Sequence, residues 1–166
     1  GLGDVYKRQM SQIVIDAIDR KILKYLITNA RMPFLEIARK CGISGAAIHQ
    51  RIKKLDESGV ILGSRLVVDT KMLGFDVCAY IGIRLQDVSI LMQTVDRLKQ
   101  IPEIVECHFI TGTYNLFVKL YCVDNEHLMT TLCDRILAIP GISTTQTYIS
   151  LNEAFPVSYT HLTLPT

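Results

Sequence analysis

The chain has 166 residues, of which 49% are hydrophobic and 20% are charged, enough for one or two domains with buried cores. No apolar run approaches the ~20 residues that a membrane-spanning helix needs, and no secretory signal is recognisable, so neither a membrane protein nor a secreted protein is predicted. The five cysteines are odd in number and form no C-x-x-C pair, which predicts reduced thiols in the cytoplasm rather than disulfides or a zinc site.

The formal net charge of +2 hides an asymmetry along the chain. Residues 13–65 contain ten Lys or Arg and five Asp or Glu, whereas residues 66–155 contain six basic and ten acidic residues. A basic N-terminal part joined to an acidic C-terminal part indicates two different tasks. The first of these is predicted to face a polyanion.

Both ends of the chain differ in character from the part between them. Residues 1–9 precede Met10, which suits a natural start, and residues 156–166 continue no pattern of the preceding sequence. We therefore predict non-native flanks at 1–9 and 156–166 and exclude them from the fold prediction.

The first helices are indicated by their caps and breakers. Asp16 is predicted to cap a helix that runs to about Asn29. Pro33 suits the first turn of a second helix. The residues predicted to face inward from the first helix are Ile18, Ile22, Leu26 and Ile27.

Residues 37–59 form the pattern of a helix, a tight turn and a second helix. Gly42 can adopt the left-handed conformation that ends the first of these, and Ser44 is a favoured N-cap for the second. The buried stripe of the second helix is predicted to be Ile48, Ile52 and Leu55. This is the pattern of a DNA-binding helix-turn-helix, and the alternative is an ordinary helical hairpin with a solvated basic face.

Small, amide and cationic side chains outside the apolar stripe are the candidates for DNA contact. The cations are predicted to neutralise phosphates, and Gln50 can pair with adenine at ~1–3 kcal/mol of discrimination. His49 is open to either a base edge or a phosphate. The predicted DNA-binding residues are Arg39, Lys40, Ser44, Gly45, Ala46, His49, Gln50, Arg51, Lys53 and Lys54.

Residues 60–69 are rich in β-branched side chains and predict either a wing strand or the link to the next domain. The Leu73-Gly74-Phe75 turn then marks a boundary. The predicted organisation is a helix-turn-helix domain at 10–62, a linker strand and turn at 63–75, and a second domain at 76–155.

The second domain contains an internal repeat. The pattern Ile-Pro-x-Ile occurs at 101–104 and again at 139–142, and each copy follows a strand-like run and an amphipathic helix. The strand-like runs are 77–85, 105–111, 115–123 and 145–151. The order β-α-β-β-α-β predicts a ferredoxin-like α+β domain. Apolar residues on both faces of the strands suggest that helices cover one face and a partner subunit the other.

The turn at 111–115, between the two halves of the repeat, is polar and contains Gly112. It is predicted to be a hairpin turn, and it can also provide backbone N–H groups for a small polar ligand. An enzyme is not predicted, because the cysteines lie in apolar elements without a neighbouring base. His108 and His127 likewise have no partners at catalytic or metal-binding spacing, so no catalytic or metal residues are assigned.

Several spaced motifs together resemble the Lrp/AsnC family of bacterial feast/famine transcriptional regulators. They run from residue 15 to residue 142 in the family's order, and the resemblance extends from Met10 to about Phe155. Three further stretches look closer to the asparagine-responsive AsnC branch than to the leucine-responsive branch. The general motifs lie at 15–23, 29–31, 36–38, 42–44, 51–55, 59–61, 73–75, 111–112 and 140–142, and the branch motifs at 47–51, 63–65 and 74–77.

The resemblance implies a winged helix-turn-helix domain, a linker strand and a ferredoxin-like effector-binding domain. It implies homodimers that assemble further, often into octamers, and an amino-acid effector with asparagine as first candidate and no other cofactor. Asn115 stands where many relatives have an acidic residue. The alternative is an architectural, nucleoid-type DNA-binding protein without a ligand. The implied effector-binding residues are Thr111, Gly112, Thr113, Tyr114, Asn115, Gln146 and Thr147.

Overall fold

The computed structural model describes residues 14–165, so the predictions for residues 1–9, Met10 and Thr166 lie outside the described part. The chain divides into two compact units. The helical unit comprises the described residues up to Leu66 together with the stretch from Pro156, and the sheet unit comprises Val67–Phe155.

Three helices form the helical unit: α1, Ala17–Thr28; α2, Phe34–Cys41; and α3, Gly45–Glu57. Asp16 is the N-cap of α1, and its carboxylate accepts a hydrogen bond from the backbone N–H of Asp19. Gly42 ends α2 with a φ of 67°, a left-handed conformation that glycine adopts without steric penalty. The predicted caps Asp16 and Gly42 are therefore confirmed, whereas Pro33 is the N-cap of α2 rather than a residue of its first turn.

The core of the helical unit is aliphatic, and the predicted stripe of α3 is buried in it. Ile18 and Leu26 of α1 are half-buried against this core, whereas Ile27 is 41% exposed and does not belong to it. Asp19 is the one charged side chain among the buried residues of the described chain. The buried hydrophobic residues are Ile22, Ile37, Ala38, Ile48, Ile52 and Leu55.

The prediction of a wing strand after α3 is wrong. Residues 61–69 are without helix or strand, and Leu62 and Val67 are largely exposed. A β-rich composition does not form a strand unless neighbouring backbone pairs with it, and no strand of the described chain does so here. Of the two alternatives for this stretch, the link describes the structure. The predicted linker strand within 63–75 is also wrong for the same reason, whereas the predicted turn is present at residues 70–74.

The sheet unit has the predicted β-α-β-β-α-β order. Its four antiparallel strands lie in the order β2-β3-β1-β4, which is the ferredoxin-like topology. The elements are β1, Val77–Leu85; a short 3₁₀ turn, Val88–Ile90; α4, Leu91–Lys99; β2, Ile104–Phe109; β3, Leu116–Cys122; α5, Asn125–Thr130; and β4, Ile142–Ile149. A π-helical segment, Thr131–Ile136, continues α5.

Helices cover one face of this sheet. Alternate residues of the two central strands are buried beneath α4, α5 and the π-helical segment, as the alternation of side chains along a strand requires. Leu98, Leu128 and Ile136 are the buried hydrophobic residues that the helices contribute. The strand residues of this hydrophobic core are Val77, Ala79, Ile81, Ile83, Leu85, Leu116, Val118, Leu120 and Cys122.

The C-terminal stretch lies against α1 of the helical unit. Arg20 donates from Nε to the carbonyl oxygen of Pro165 at 3.0 Å, and residues 159–164 line an open pocket with Lys21 and Lys24. That this stretch is a non-native flank stays a prediction. No helix in the described part of the chain is long and apolar enough to cross a membrane.

Candidate DNA-binding surface and effector site

The helix α3 presents two different surfaces around its buried stripe. Ala46, His49, Gln50 and Lys53 are exposed along one side, one turn after another. Gly45 lies half-buried at the start of this side, and a Cβ atom there would lie 3.1 Å from Leu35 Cδ2. These residues form a continuous surface, which we call the reading surface.

Ser44 and Phe34 contact this surface from within the helix-turn-helix, whereas the Lys53 ammonium stays accessible. The Ser44 hydroxyl accepts a hydrogen bond from the backbone N–H of Ala47 at 3.1 Å, so its oxygen has a structural partner. The His49 ring packs edge-on against Phe34 of α2, with 5.4 Å between the ring centroids. The Lys53 side chain is 73% exposed, and its Nζ atom lies 3.8 Å from Glu57 Oε1. This is a weak ion pair that leaves the ammonium accessible.

Arg51 lies outside the reading surface. Its Nη1 atom is 2.7 Å from Asp16 Oδ2 and 3.0 Å from Asp19 Oδ1, both at the first turn of α1. Because Nη1 is held by two carboxylates, this ion pair within the unit argues against the predicted phosphate contact from Arg51. No local signal in the sequence predicts this pair, because its partners are far away along the chain.

Lys54 belongs to the same ion-pair cluster. Its ammonium donates to the carbonyl oxygen of Val14 at 3.0 Å and lies 3.6 Å from Asp19 Oδ2. The hydrogen bond from Arg51 lowers the pKa of Asp16 from 3.8 to about 2, with the backbone N–H of Asp19 acting in the same direction. The same carboxylates raise the pKa of Arg51.

The two predicted cations of α2 differ in their surroundings. Arg39 is exposed near the end of the helix. The Lys40 ammonium lies 5.8 Å from the centroid of the Tyr25 ring on α1, a cation–π distance. Both stay predicted phosphate contacts.

The second candidate site is the turn after β2. Gly112 has a φ of 99°, and a Cβ atom built there would meet nothing within 4 Å. Thr111 and Thr113 flank it and are exposed. The turn therefore presents accessible backbone and two hydroxyl groups to its surroundings.

Asn115 is held by the sheet rather than directed at this open space. Its backbone N–H donates to the carbonyl oxygen of Ile83 at 2.9 Å, and its side-chain Oδ1 accepts from the backbone N–H of Leu85 at 2.9 Å. The side chain thus continues the β1–β3 hydrogen-bond ladder beyond its last residue pair. This contact argues against the role expected for Asn115, in which its carbonyl oxygen recognises a ligand.

Tyr114 joins the turn to β4 across the middle of the sheet. A Cβ atom on Gly82 would lie 2.6 Å from Tyr114 Cδ2, so the ring lies directly over that glycine. The Tyr114 hydroxyl donates to Gln146 Oε1. Gln146 pairs with Gly82 in the β1–β4 register, so the structure brings Tyr114 and Gln146 together in one subunit.

Thr147 and Gln146 lie on opposite faces of the sheet. Thr147 pairs with the buried Ile81 on the face that the helices cover, whereas Gln146 lies on the opposite face. Successive residues of a strand point to opposite faces, so the two implied site residues cannot line one cleft of the same subunit through their side chains. Counting alternate residues along β4 would have separated them.

The face of the sheet opposite the helices carries an aromatic cluster that the sequence analysis did not name. The Phe117 ring lies 6.1 Å from Tyr80 and 6.3 Å from Tyr148, measured between centroids. The Lys119 ammonium lies 5.3 Å from the Tyr121 ring centroid. No helix of the described chain covers this open sheet face.

His127 is part of a hydrogen-bonded cluster around Glu103. Its Nδ1 accepts from the backbone N–H of Val123, and its Nε2 lies 3.0 Å from Glu103 Oε1, while Arg135 donates to the other oxygen at 2.8 Å. Burial opposes ionisation of Glu103, but these hydrogen bonds outweigh it and lower the pKa of that carboxyl. Among residues 14–165, no group of three or more His, Cys, Asp or Glu side chains could hold a metal ion.

Sequence models of two protein families match the chain. The AsnC-type helix-turn-helix domain matches residues 15–56, and the Lrp/AsnC ligand binding domain matches residues 78–158. The first match contains the reading surface, and the second contains the turn at Gly112.

Individual relatives match most of the chain. The regulatory protein AsnC of Haemophilus influenzae is 36% identical over 139 residues, which cover 84% of this chain and 93% of that protein. The regulatory protein AsnC of Escherichia coli is 36% identical over 144 residues, covering 87% and 95%. The HTH-type transcriptional regulator FL11 of Pyrococcus horikoshii is 36% identical over 140 residues, covering 84% and 91%.

Solved structures agree with these matches. The structure of E. coli AsnC superposes with a TM-score of 0.82 at 34% identity, covering 88% of this chain and 98% of that chain. A transcriptional regulator from Neisseria meningitidis in complex with L-Met has a TM-score of 0.81, covering 90% and 100%. Its identity is 19%, so it supports the fold alone.

Proposed function

Because the chain belongs to the Lrp/AsnC family of DNA-binding transcriptional regulators, which are not enzymes, we propose that its reading surface recognises specific DNA sequences under the control of an amino acid. The proposal of DNA recognition is supported by the division of α3 into a buried stripe, an ion-paired side and an exposed side. Only the exposed side is free to enter a major groove.

On this surface each side chain has a distinct proposed task. Gln50 reads a base edge, His49 contacts a base or a phosphate from its place beside Phe34, and Lys53 neutralises a phosphate. Gly45 and Ala46 are small enough for close approach to bases. Arg39 and Lys40 add phosphate contacts from α2.

Binding-site selection from a random duplex library tests sequence recognition directly. The wild-type protein is expected to enrich a common motif, and Gln50→Ala is expected to change the preferred base at one position of each half-site. Lys53→Gln is the matched control, since loss of a phosphate contact weakens binding to all sequences and leaves the motif unchanged. Enrichment of no motif by the wild type would favour an architectural role.

We propose the turn at Thr111–Asn115 as part of the effector site, with asparagine as first candidate. Its open backbone at Gly112 suits a carboxylate, and the hydroxyls of Thr111 and Thr113 suit polar groups of an amino acid. The Tyr114–Gln146 pair forms a neighbouring wall. The match of residues 78–158 to the Lrp/AsnC ligand binding domain supports a ligand in this unit.

Calorimetry with a panel of amino acids tests this proposal. Asparagine is expected to give binding heat, and Thr113→Val is expected to weaken it because the hydroxyl is lost without strain on the backbone. Thr144→Val removes an exposed hydroxyl from β4 instead and is expected to leave the heat unchanged. If no amino acid gives heat with the intact protein, the effector proposal fails while DNA recognition stands.

Effector control requires that the ligand distinguish two states of the protein. An amino acid bound at the turn can shift DNA binding only by its difference in affinity for those states, typically ~1–3 kcal/mol. Repeating the DNA titration with saturating asparagine measures this coupling. An unchanged DNA affinity would contradict control by asparagine.

We propose that a second copy of the chain covers the open sheet face, giving a homodimer that assembles into higher oligomers, with an octamer as the expected form. The aromatic cluster on that face supports this, since apolar surface is stabilised when it leaves water. Sedimentation of the full chain is expected to give a dimer or larger species. Phe117→Glu is expected to dissociate it, and Leu137→Glu, an exposed position after the π-helical segment, is the control.

A further inference from the structure

The beginning of α1 and the middle of α3 share a closed cluster of two carboxylates and two cations. Asp16 Oδ1 accepts from the backbone N–H of Asp19, and Asp19 Oδ2 accepts from the backbone N–H of Asp16, a reciprocal capping box. Arg51 Nη1 donates to the other oxygen of each carboxylate. All four carboxylate oxygens therefore have a hydrogen-bond donor.

Burial gives this cluster a fixed geometry. The Asp19 side chain is fully buried and the Arg51 side chain is 27% exposed. A buried carboxylate is strongly destabilising unless it is paired and hydrogen-bonded, so Asp19 requires Arg51 close to its present position. Lys54, one turn further along α3, holds Val14 and strengthens the same attachment.

The cluster restricts the rotation of α3 about its axis more than the apolar stripe does. Contacts among Ile48, Ile52 and Leu55 are non-directional and tolerate small rotations of a helix about its axis. A hydrogen-bonded ion pair is directional and tolerates them poorly. Arg51 therefore restricts the small rotations of α3 that the apolar stripe alone would permit.

We propose that Arg51 is a positioning residue for DNA recognition: by binding the capping box of α1 it fixes the rotation of α3 and so the direction of the reading surface. The inference rests on the proposed DNA-binding function. According to this proposal, the buried carboxylate of Asp19 raises the affinity for DNA, although DNA is itself negatively charged.

The sign of that effect separates this proposal from simple electrostatics. Removing a negative charge from a DNA-binding unit raises its attraction to phosphates when nothing else changes. Asp19→Asn is expected to do the opposite and lower the affinity about tenfold, since α3 loses a charged hydrogen-bond partner and its fixed rotation. Asp56→Asn makes the same charge change at an exposed position of α3 and is expected to leave the affinity equal or raised.

The salt dependence of binding separates positioning from phosphate contact. We expect Arg51→Gln to weaken binding to the duplex that the wild type selects, with an unchanged slope of log K against log salt concentration. Lys53→Gln is expected to reduce that slope by about 0.9, the value for one lost phosphate contact. The double variant Asp19→Asn with Arg51→Gln is expected to be scarcely weaker than either single variant.

The proposal is overturned if Asp19→Asn binds as tightly as the wild type, or if Arg51→Gln reduces the salt slope as Lys53→Gln does. Circular dichroism verifies that each variant is folded at the assay temperature. Asp16→Asn keeps a good N-cap and one partner for Arg51, so it provides a milder variant with a smaller loss in the same direction.

Chemical-shift mapping of the free protein supplies a readout without DNA. Asp19→Asn is expected to move the backbone resonances of His49 and Gln50 on the reading surface. Shifts confined to α1 would overturn the positioning role. If the wild type selects no duplex at all, the proposed function fails. The chemical shifts still test whether Asp19 fixes the position of α3.

Discussion

The helical unit and the sheet unit fix their polar side chains by different means. In the helical unit Arg51 joins two helices through the charges of Asp16 and Asp19. Near the candidate effector turn of the sheet unit, Asn115 joins two strands through a neutral amide that substitutes for a backbone acceptor. Acid should therefore loosen the first attachment and leave the second unchanged, whereas loss of the side-chain acceptor should damage the second most.

The largest effect is expected from Asn115→Leu in the sheet unit. Leucine is similar in size but cannot accept the hydrogen bond of the Leu85 N–H, and Leu85 is buried. An unpaired buried donor costs about 1–3 kcal/mol of unfolding free energy, measurable by urea denaturation.

Asn115→Asp is the control for this position. An aspartate oxygen can accept the same bond, so this variant is expected to retain most of the stability. Equal losses in both variants would mean that the ladder contact is not what Asn115 contributes. Retained stability would also show that an acidic residue can make this ladder contact.

A smaller effect is expected from Gly82→Ala on the open sheet face. The added methyl group would displace the Tyr114 ring, at a cost of about 1–3 kcal/mol that is partly offset because glycine is itself unfavourable within a strand. Tyrosine resonances in an NMR spectrum are expected to report the loss of the Tyr114–Gln146 hydrogen bond.

Gly112→Ala makes the matched change in the turn. The added methyl group meets open space, so its cost comes from the φ of 99° alone, and the Tyr114 resonances should stay in place. Displacement of Tyr114 in both variants would mean that the ring depends on the turn conformation rather than on the space over Gly82.

The smallest effect is expected from Asp16→Asn, and it should depend on pH. The pKa of Asp16 is lowered from 3.8 to about 2, so its ionised form stabilises the folded helical unit above pH 3.8, and this contribution is lost as the pH falls towards 2. The stability difference between wild type and variant should therefore shrink over that interval.

Acid unfolding curves of the two proteins measure this difference. Comparing them removes the pH dependence that other carboxyl groups contribute, including Glu103 of the sheet unit, whose pKa is also lowered. A stability difference that stays constant from pH 5 to pH 2 would show that the Asp16 charge does not stabilise the unit.

Local signals were sufficient to predict most of the fold. Asp16, Gly42 and Ser44 act on their immediate neighbours, so the caps and the helix-turn-helix could be predicted from short stretches of sequence. The strand runs and the repeat likewise gave the order of the ferredoxin-like unit. The exception was residues 61–69, where composition favoured a strand but pairing depends on a partner elsewhere.

The candidate sites were less predictable because their side chains have distant partners. Arg51 and Lys53 are equivalent in charge and near in sequence, and only the position of α1 separates an ion-paired guanidinium from an accessible ammonium. Asn115 similarly appears as a free amide until β1 is placed beside it. Thr147 was predictable, since alternation along a strand assigns it to the face opposite Gln146.

The division of α3 into two surfaces has an evolutionary consequence. Ala46, His49 and Gln50 can change without breaking a hydrogen bond inside the unit, so operator preference can diverge by single substitutions there. Arg51 and Asp19 are expected to change together, since loss of Arg51 leaves the buried Asp19 with only the Lys54 ammonium, 3.6 Å away, as a counter-charge. A recognition helix transplanted between paralogues must therefore be transferred with the first turn of α1.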